Sequence, residues 1–140
     1  EELEEMAVEK GANAKFTGPL PYSMMNECYA ACDILIVGHY VDERLRDFAM
    51  PKKLLDAMGY KVPVIVGPYE ARRKIVERYE CGIVSDDWTK TLTSLSSDKQ
   101  LRKEMGENGF KAFKMNYCWD LQEKKLLRVY NNLLEGETDS

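Results

Sequence analysis

Two short, uninterrupted apolar runs constrain the fold of this chain more than any other feature. They lie within residues 33–37, where four apolar residues follow Asp33, and at residues 62–66, and isoleucine, leucine and valine dominate both. A strand buried on both faces has such a run, whereas a strand with one wet face alternates apolar and polar residues. Helical patterns separate these runs from each other and from two shorter strand candidates, at 14–17 and 82–84. Strands that alternate with helices predict β-α-β units, and therefore an α/β, Rossmann-like fold with a parallel sheet flanked by helices.

The rest of the chain is mostly helical in pattern. Helices are predicted over residues 1–10, 22–32, 51–59, 70–79, 87–95, 99–115 and 119–134. The length of 140 residues is that of one domain. We assign that domain to residues 1–135, followed by a polar tail at residues 136–140.

Charge and composition exclude several classes of partner. The net charge of −4 argues against nucleic acid or an anionic membrane as the main partner. No apolar run approaches the roughly 20 residues of a membrane span, and the N-terminus does not resemble a signal peptide. The four cysteines form no C-x-x-C pair and there is a single histidine, so we expect no zinc site. The loops hold no carboxylate pair with obvious ligand spacing, so we expect no other metal, and no cofactor is expected either. A reduced cytoplasmic protein fits best, and the inner face of a membrane is a further option for its full-length form.

The start of the helix at residues 51–59 is chemically unusual. Pro51 suits a first helical position, and the preceding Met50 has no side-chain oxygen with which to cap the free N–H groups of Lys52 and Lys53. Those N–H groups, the two lysines and the helix dipole converge on one point, which predicts a phosphate site. Asp56 follows on the same face and can accept hydrogen bonds from sugar hydroxyls. An ordinary solvated amphipathic helix is the alternative interpretation.

A succession of short motifs resembles one enzyme family. The motifs lie at residues 16–18, 29–36, 53–58, 63–65, 75–76, 81–84, 101–106 and 117–120. In this order they resemble the C-terminal, donor-binding domain of GT-B-fold retaining glycosyltransferases, group 1 or family 4. The resemblance implies transfer of a sugar from a nucleoside-diphosphate sugar, with UDP or GDP as the nucleotide, to a hydroxyl acceptor such as a glycan or lipid.

The resemblance also implies roles for particular residues. The helix that begins near Pro51 would present N–H groups to the diphosphate, and Asp56 stands where the family has a glutamate that holds the ribose. Phe48 stands at the position of a second glutamate, which contacts the donor sugar, and Asp47 could replace it if the loop shifts by one residue. Leu20, in the turn after the first short strand, completes a donor-binding set whose members are Leu20, Asp47, Met50, Pro51, Lys52, Lys53 and Asp56.

Two features of the family pattern are missing, and they leave other functions open. The family's donor-binding domain begins with a β-α-β unit that has no counterpart in this sequence. The family's acceptor domain, which carries the catalytic groups, has no counterpart in it either. We therefore expect no catalytic residue in this chain and no activity of the chain alone. A non-catalytic domain used for protein interaction, which Phe48 favours, and a sugar-nucleotide epimerase of the same fold are the alternatives.

The missing unit also affects the sheet. It would supply the two central strands between the strand at residues 14–17 and the strand at residues 33–37. Without them the latter strand exposes an apolar edge, which invites pairing with another chain. Three outcomes are open: pairing with another segment of the same protein, a homo-oligomer formed through this edge, or a repacked smaller sheet. We expect the first two in preference to the third.

Overall fold

A computed structural model describes residues 2–38 and 51–136 of the chain. The elements, in chain order, are α1 (Glu2–Glu9), a 3-10 turn (Tyr22–Met24), α2 (Met25–Ala30), β1 (Leu35–Val37), α3 (Lys52–Gly59), β2 (Val64–Val66), α4 (Glu70–Tyr79), β3 (Gly82–Val84), α5 (Trp88–Ser97), α6 (Lys99–Asn116) and α7 (Trp119–Gly136).

The described strands form one parallel sheet in the order β1-β2-β3. Leu35 pairs with Val64, and Val64 pairs in turn with Gly82. All three residues of β2 are buried because helices cover both faces of this central strand. The sequence prediction of an α/β fold with a parallel sheet is confirmed.

The core lies where α3 and α6 pack beside the sheet. Leu54, Ala57 and Met58 of α3 are buried there together with the valines of β2 and Ala112 of α6. Gly106 and Gly109 of α6 are buried in this packing. A side chain at either position would meet its neighbours, and a Cβ atom at Gly106 would lie 2.1 Å from the carbonyl oxygen of Lys61. This packing fixes α3, and with it the candidate phosphate site, against the sheet.

The predicted strand at residues 14–17 is wrong. These residues are exposed and belong to no strand. A strand exists only through hydrogen bonds to a neighbour, and no described strand runs beside this segment. The motif at residues 16–18 therefore contributes a connection, and the described sheet begins with β1.

Other boundaries differ by a few residues. The predicted helix at 22–32 is a 3-10 turn followed by the six residues of α2. Asp87, predicted as the first residue of α5, is its N-cap and accepts a hydrogen bond from the backbone N–H of Lys90. At the other end of the chain, α7 continues to Gly136, where the polar tail was predicted to begin, and residues 137–140 lie outside the described part.

β1 is an edge strand within the described part of the chain. Ile36, at its centre, has 41% of its surface exposed. The apolar edge predicted from the sequence is therefore present. Oligomerisation through it stays a prediction.

Candidate functional site

A groove runs between two helices on one side of the molecule. Because β1, α3 and β2 follow one another and the two strands are parallel, α3 returns from the carboxyl edge of β1 to the amino edge of β2, and the groove beside it runs the same way. It encloses about 400 Å³ and is lined by Tyr22, Met25, Asn26, Tyr29, Lys52, Asp56 and Tyr60. Crevices at the carboxyl edges of parallel sheets are where such folds bind ligands.

The first turn of α3 opens beside this groove without a side-chain cap. Pro51 is the N-cap residue, with an extended backbone (φ −71°, ψ 127°), and Lys52 is the first helical residue. The sequence had placed Pro51 one residue further in, with Met50 as the cap. The Pro51 carbonyl accepts a hydrogen bond from the N–H of Leu54 at 3.0 Å. Proline has no side-chain oxygen, so Pro51 cannot cap the N–H groups of Lys52 and Lys53. The predicted uncapped helix start is therefore present, one residue later.

Lys52 lies at the carboxyl-edge end of the groove. Its Nζ donates a hydrogen bond to the Tyr22 hydroxyl at 3.1 Å. This hydrogen bond is the main reason that the pKa of Lys52 lies above its ordinary value. Tyr22 thus holds the ammonium of the first residue of α3, a helix that begins without a side-chain cap.

Asp56 lies one helical turn further along the same face of α3. Its Oδ2 accepts a hydrogen bond from the Tyr29 hydroxyl at 3.3 Å. Burial, and next the negative charge of Asp56, raise the pKa of Tyr29 to about 12, so Tyr29 is a donor at neutral pH. A carboxylate offers about four acceptor positions, and Tyr29 uses one of them. The others can accept from a ligand in the groove.

Tyr60 and Asn26 fix the other end of the groove. The rings of Tyr29 and Tyr60 are stacked, with centroids 5.3 Å apart and planes 12° from parallel. The Tyr60 hydroxyl also donates to Oδ1 of Asn26 at 2.5 Å. These contacts join α2 to α3, so the wall that carries Asp56 is braced.

The structure brings together only part of the predicted donor-binding set. Lys52 and Asp56 line one groove, with Pro51 at the start of the same helix. Lys53 and Leu20 are exposed and are not among its lining residues. Met50 and Asp47 lie outside the described residues, as does Phe48. The sequence predicts a pocket bordered by Lys53, Asp56, the loop at residues 38–47 and the turn at residues 19–21. The groove contains Asp56, with Lys52 and Tyr22 in place of Lys53 and that turn, and residues 39–47 lie outside the described residues.

Sequence reasoning undervalued Arg72. From the sequence, Arg72 is one of three cations near a helix start, explained either by an anionic ligand or by a later start of the helix, yet its side chain is fully buried in the first turn of α4. Its Nη1 donates to the carbonyl of Gly38 at 2.8 Å, and its guanidinium lies 4.9 Å from the ring centre of Tyr69. Arg72 therefore ties α4 to the residue at which the chain leaves β1. Its position shortly after the carboxyl end of β2 is the feature of the sequence that could have indicated a role at this edge of the sheet.

Two classes of feature are absent from the part of the chain that the structure covers. No group of three or more His, Cys, Asp or Glu side chains is placed to hold a metal ion within residues 2–38 and 51–136. None of the helices described above is long and apolar enough to cross a membrane.

Comparison with protein families identifies the chain. The model of the glycosyl transferases group 1 matches residues 1–112, which include the whole sheet and the groove. The chain belongs to this family. None of the curated proteins compared with it matches.

A solved structure has the same fold. Sucrose-phosphate synthase from Thermosynechococcus elongatus matches with a TM-score of 0.78 and 16% sequence identity, over 96% of this chain and 34% of that enzyme. This chain thus spans about a third of the length of the matched enzyme. The match confirms the GT-B fold that the sequence motifs had predicted.

Proposed function

We propose that the groove binds the nucleoside-diphosphate sugar donor of a glycosyl transfer reaction. The observation that carries the proposal is that Lys52 and Asp56, a cation and a carboxylate one turn apart on α3, line one groove at the uncapped start of that helix. Membership of the group 1 family supports a glycosyltransferase, and this geometry supports the donor side of its reaction.

Two positions on the groove-facing side of α3 would bind different parts of the donor. The ammonium of Lys52 and the first N–H groups of α3 would bind the diphosphate and stabilise the negative charge that grows on it as the sugar leaves. The carboxylate of Asp56 would accept hydrogen bonds from the ribose hydroxyls, held in position by Tyr29. The acceptor and the groups that activate it would belong to another part of the protein, so the described residues act in binding and leaving-group stabilisation.

Isothermal titration calorimetry with UDP, GDP and their sugar conjugates tests the role of Asp56. Asp56→Ala is expected to weaken binding about 10- to 150-fold, because hydrogen bonds to a charged group contribute about 1.5–3 kcal/mol. Asp120→Ala, an exposed aspartate at the start of α7, is the matched control and should leave affinity unchanged. Equal affinities of the wild type and Asp56→Ala would exclude the ribose role.

The two neighbouring lysines provide a sharper test of the diphosphate role. Lys52 lines the groove and Lys53 does not, so Lys52→Met should weaken nucleotide binding more than Lys53→Met. The reverse order would assign the diphosphate to Lys53, as the sequence alone also allowed.

A second candidate is a protein-interaction domain that binds no donor. It is favoured by the apolar stripe on α7, whose exposed members include Trp119, Leu126, Tyr130 and Leu133. Binding to the native state alone must raise the melting temperature. If no nucleotide or nucleotide sugar does so, this second function replaces the first.

A further inference from the structure

We infer that Tyr22 is the stacking platform for the nucleoside base of the donor, a role that rests on the proposed function of the groove. Tyr22 lies in the 3-10 turn before α2, at the same end of the groove as Lys52. Its side chain is 79% exposed although it lines the groove. A large ring left in water at the mouth of the groove offers the flat apolar surface that a base requires.

The contact with Lys52 leaves the faces of this ring open. The ammonium is 3.1 Å from the hydroxyl oxygen but 5.1 Å from the ring centre. These two distances place the ammonium beyond the hydroxyl, since an ion above the ring centre would be nearer to the centre than to the oxygen. The interaction is therefore a hydrogen bond at the edge of Tyr22, and a base can approach the ring itself.

The other aromatic side chains of the groove are already engaged. Tyr29 and Tyr60 stack on each other, and their hydroxyls donate to Asp56 and Asn26. They form a braced wall. Tyr22 is the most exposed ring of the groove, at 79% against 39% for Tyr60, and it stands on the side opposite α3.

Tyr22, Asp56 and Lys52 line one cavity of about 400 Å³. Tyr22 and Lys52 share one end of it and Asp56 lies one helical turn away, so a nucleoside diphosphate would bind folded, with its base and diphosphate at the same end and its ribose hydroxyls turned towards Asp56. Because the Tyr22 hydroxyl also holds the Lys52 ammonium, the same residue positions the cation for the diphosphate. Stacking tolerates any base, so Tyr22 would select for a nucleotide over inorganic pyrophosphate without choosing between uracil and guanine.

Calorimetric titration of the chain with UDP, GDP and inorganic pyrophosphate tests the inference. Tyr22→Ala should weaken UDP and GDP binding by about tenfold or more, the typical loss of one base–aromatic stack, and should weaken pyrophosphate less. Tyr22→Phe keeps the ring and should retain most of the preference for nucleotides over pyrophosphate. Tyr130→Ala, which removes an exposed tyrosine of α7, is the matched control and should change nothing.

The outcomes separate this inference from the proposed function. If the wild-type chain binds neither nucleotide nor pyrophosphate, the proposed function fails, and the role of Tyr22 fails with it. If the wild type binds nucleotides and Tyr22→Ala binds them equally well, the groove keeps its function and the stacking role is wrong. An equal loss for nucleotides and pyrophosphate would show that Tyr22 acts only through Lys52, which also overturns stacking. Thermal unfolding of each variant verifies that the fold is intact, as expected for an exposed residue.

Discussion

Replacing Gly106 with alanine should destabilise the fold although alanine is the better helix former. Gly106 lies within α6, where it faces the turn between α3 and β2. A Cβ atom there would lie 2.1 Å from the carbonyl oxygen of Lys61 and 2.9 Å from its carbonyl carbon. Contacts that short do not occur, so α6 or the turn must move by about 1 Å to restore van der Waals distance.

The turn has little freedom to move. Lys61 has a positive φ of 60°, and its N–H donates to the carbonyl of Met58. Val62 and Pro63, which follow, are buried and lead directly into the central strand. Overpacking costs typically 1–3 kcal/mol, and a contact with backbone belongs at the upper end of that range. The gain in helix propensity is about 1 kcal/mol, so we expect the free energy of unfolding to fall by about 2 kcal/mol.

Urea unfolding followed by far-UV circular dichroism measures this loss. The midpoint should fall with the m-value unchanged. The melting temperature should fall by roughly 8 °C, at about 4 °C per kcal/mol for a domain of this size.

Gly59→Ala is the matched control. Gly59 is the last residue of the core helix α3, and a Cβ atom there would meet the ring of Phe113 at 3.4 Å, an ordinary contact. Its stability should be unchanged or slightly raised. If Gly106→Ala is as stable as the wild type, the close approach of α6 to the Lys61 turn is wrong.

Two further predictions concern a helix cap and a tyrosine. Asp98 caps α6 by accepting from the N–H of Leu101 at 2.8 Å, so Asp98→Ala should lower the free energy of unfolding by about 1 kcal/mol. Asp98→Asn should retain the stability of the wild type, because asparagine also caps helices. Equal urea midpoints for Asp98→Ala and Asp98→Asn would show that the cap does not stabilise the fold. The pKa of Tyr29 is about 12 in the folded chain, against an unperturbed value of 10.0. Its contribution to stability is therefore complete below pH 10 and is lost as the pH rises through 12. Tyr29→Phe should make the fall in unfolding free energy between pH 9 and 12 shallower, and an identical slope in urea titrations would refute this.

The features that the sequence predicted well are those whose cause is local. The apolar run that contains β2 and the periodicity of α4 each indicate the correct element, because burial on both faces or on one face leaves a pattern within a few residues. The alternation of these patterns was enough to predict a parallel sheet. The ordered motifs were enough to predict the family.

The candidate site was only partly predictable, because its walls come from distant segments. The sequence placed Lys52 and Asp56 on one helix, since they are four residues apart. It could not show that Tyr22 and Tyr29 lie across a groove from them, some 27 to 30 residues away in the chain. Nor could it show which of Lys52 and Lys53 lines the groove. Neighbouring residues of a helix point in different directions, and the sequence does not determine which direction faces the groove.

By itself, the sequence determined the type of the main elements, the uncapped start of α3 and membership of the group 1 glycosyl transferases. The tertiary structure alone decided that residues 14–17 form no strand, that Arg72 is buried against Gly38 and that Gly106 admits no side chain. Propensity and periodicity act over one or two turns of chain, so a sequence records them directly. Strand pairing, burial of a charge and close helix contacts depend on which distant segment lies alongside, and packing of the whole domain determines that.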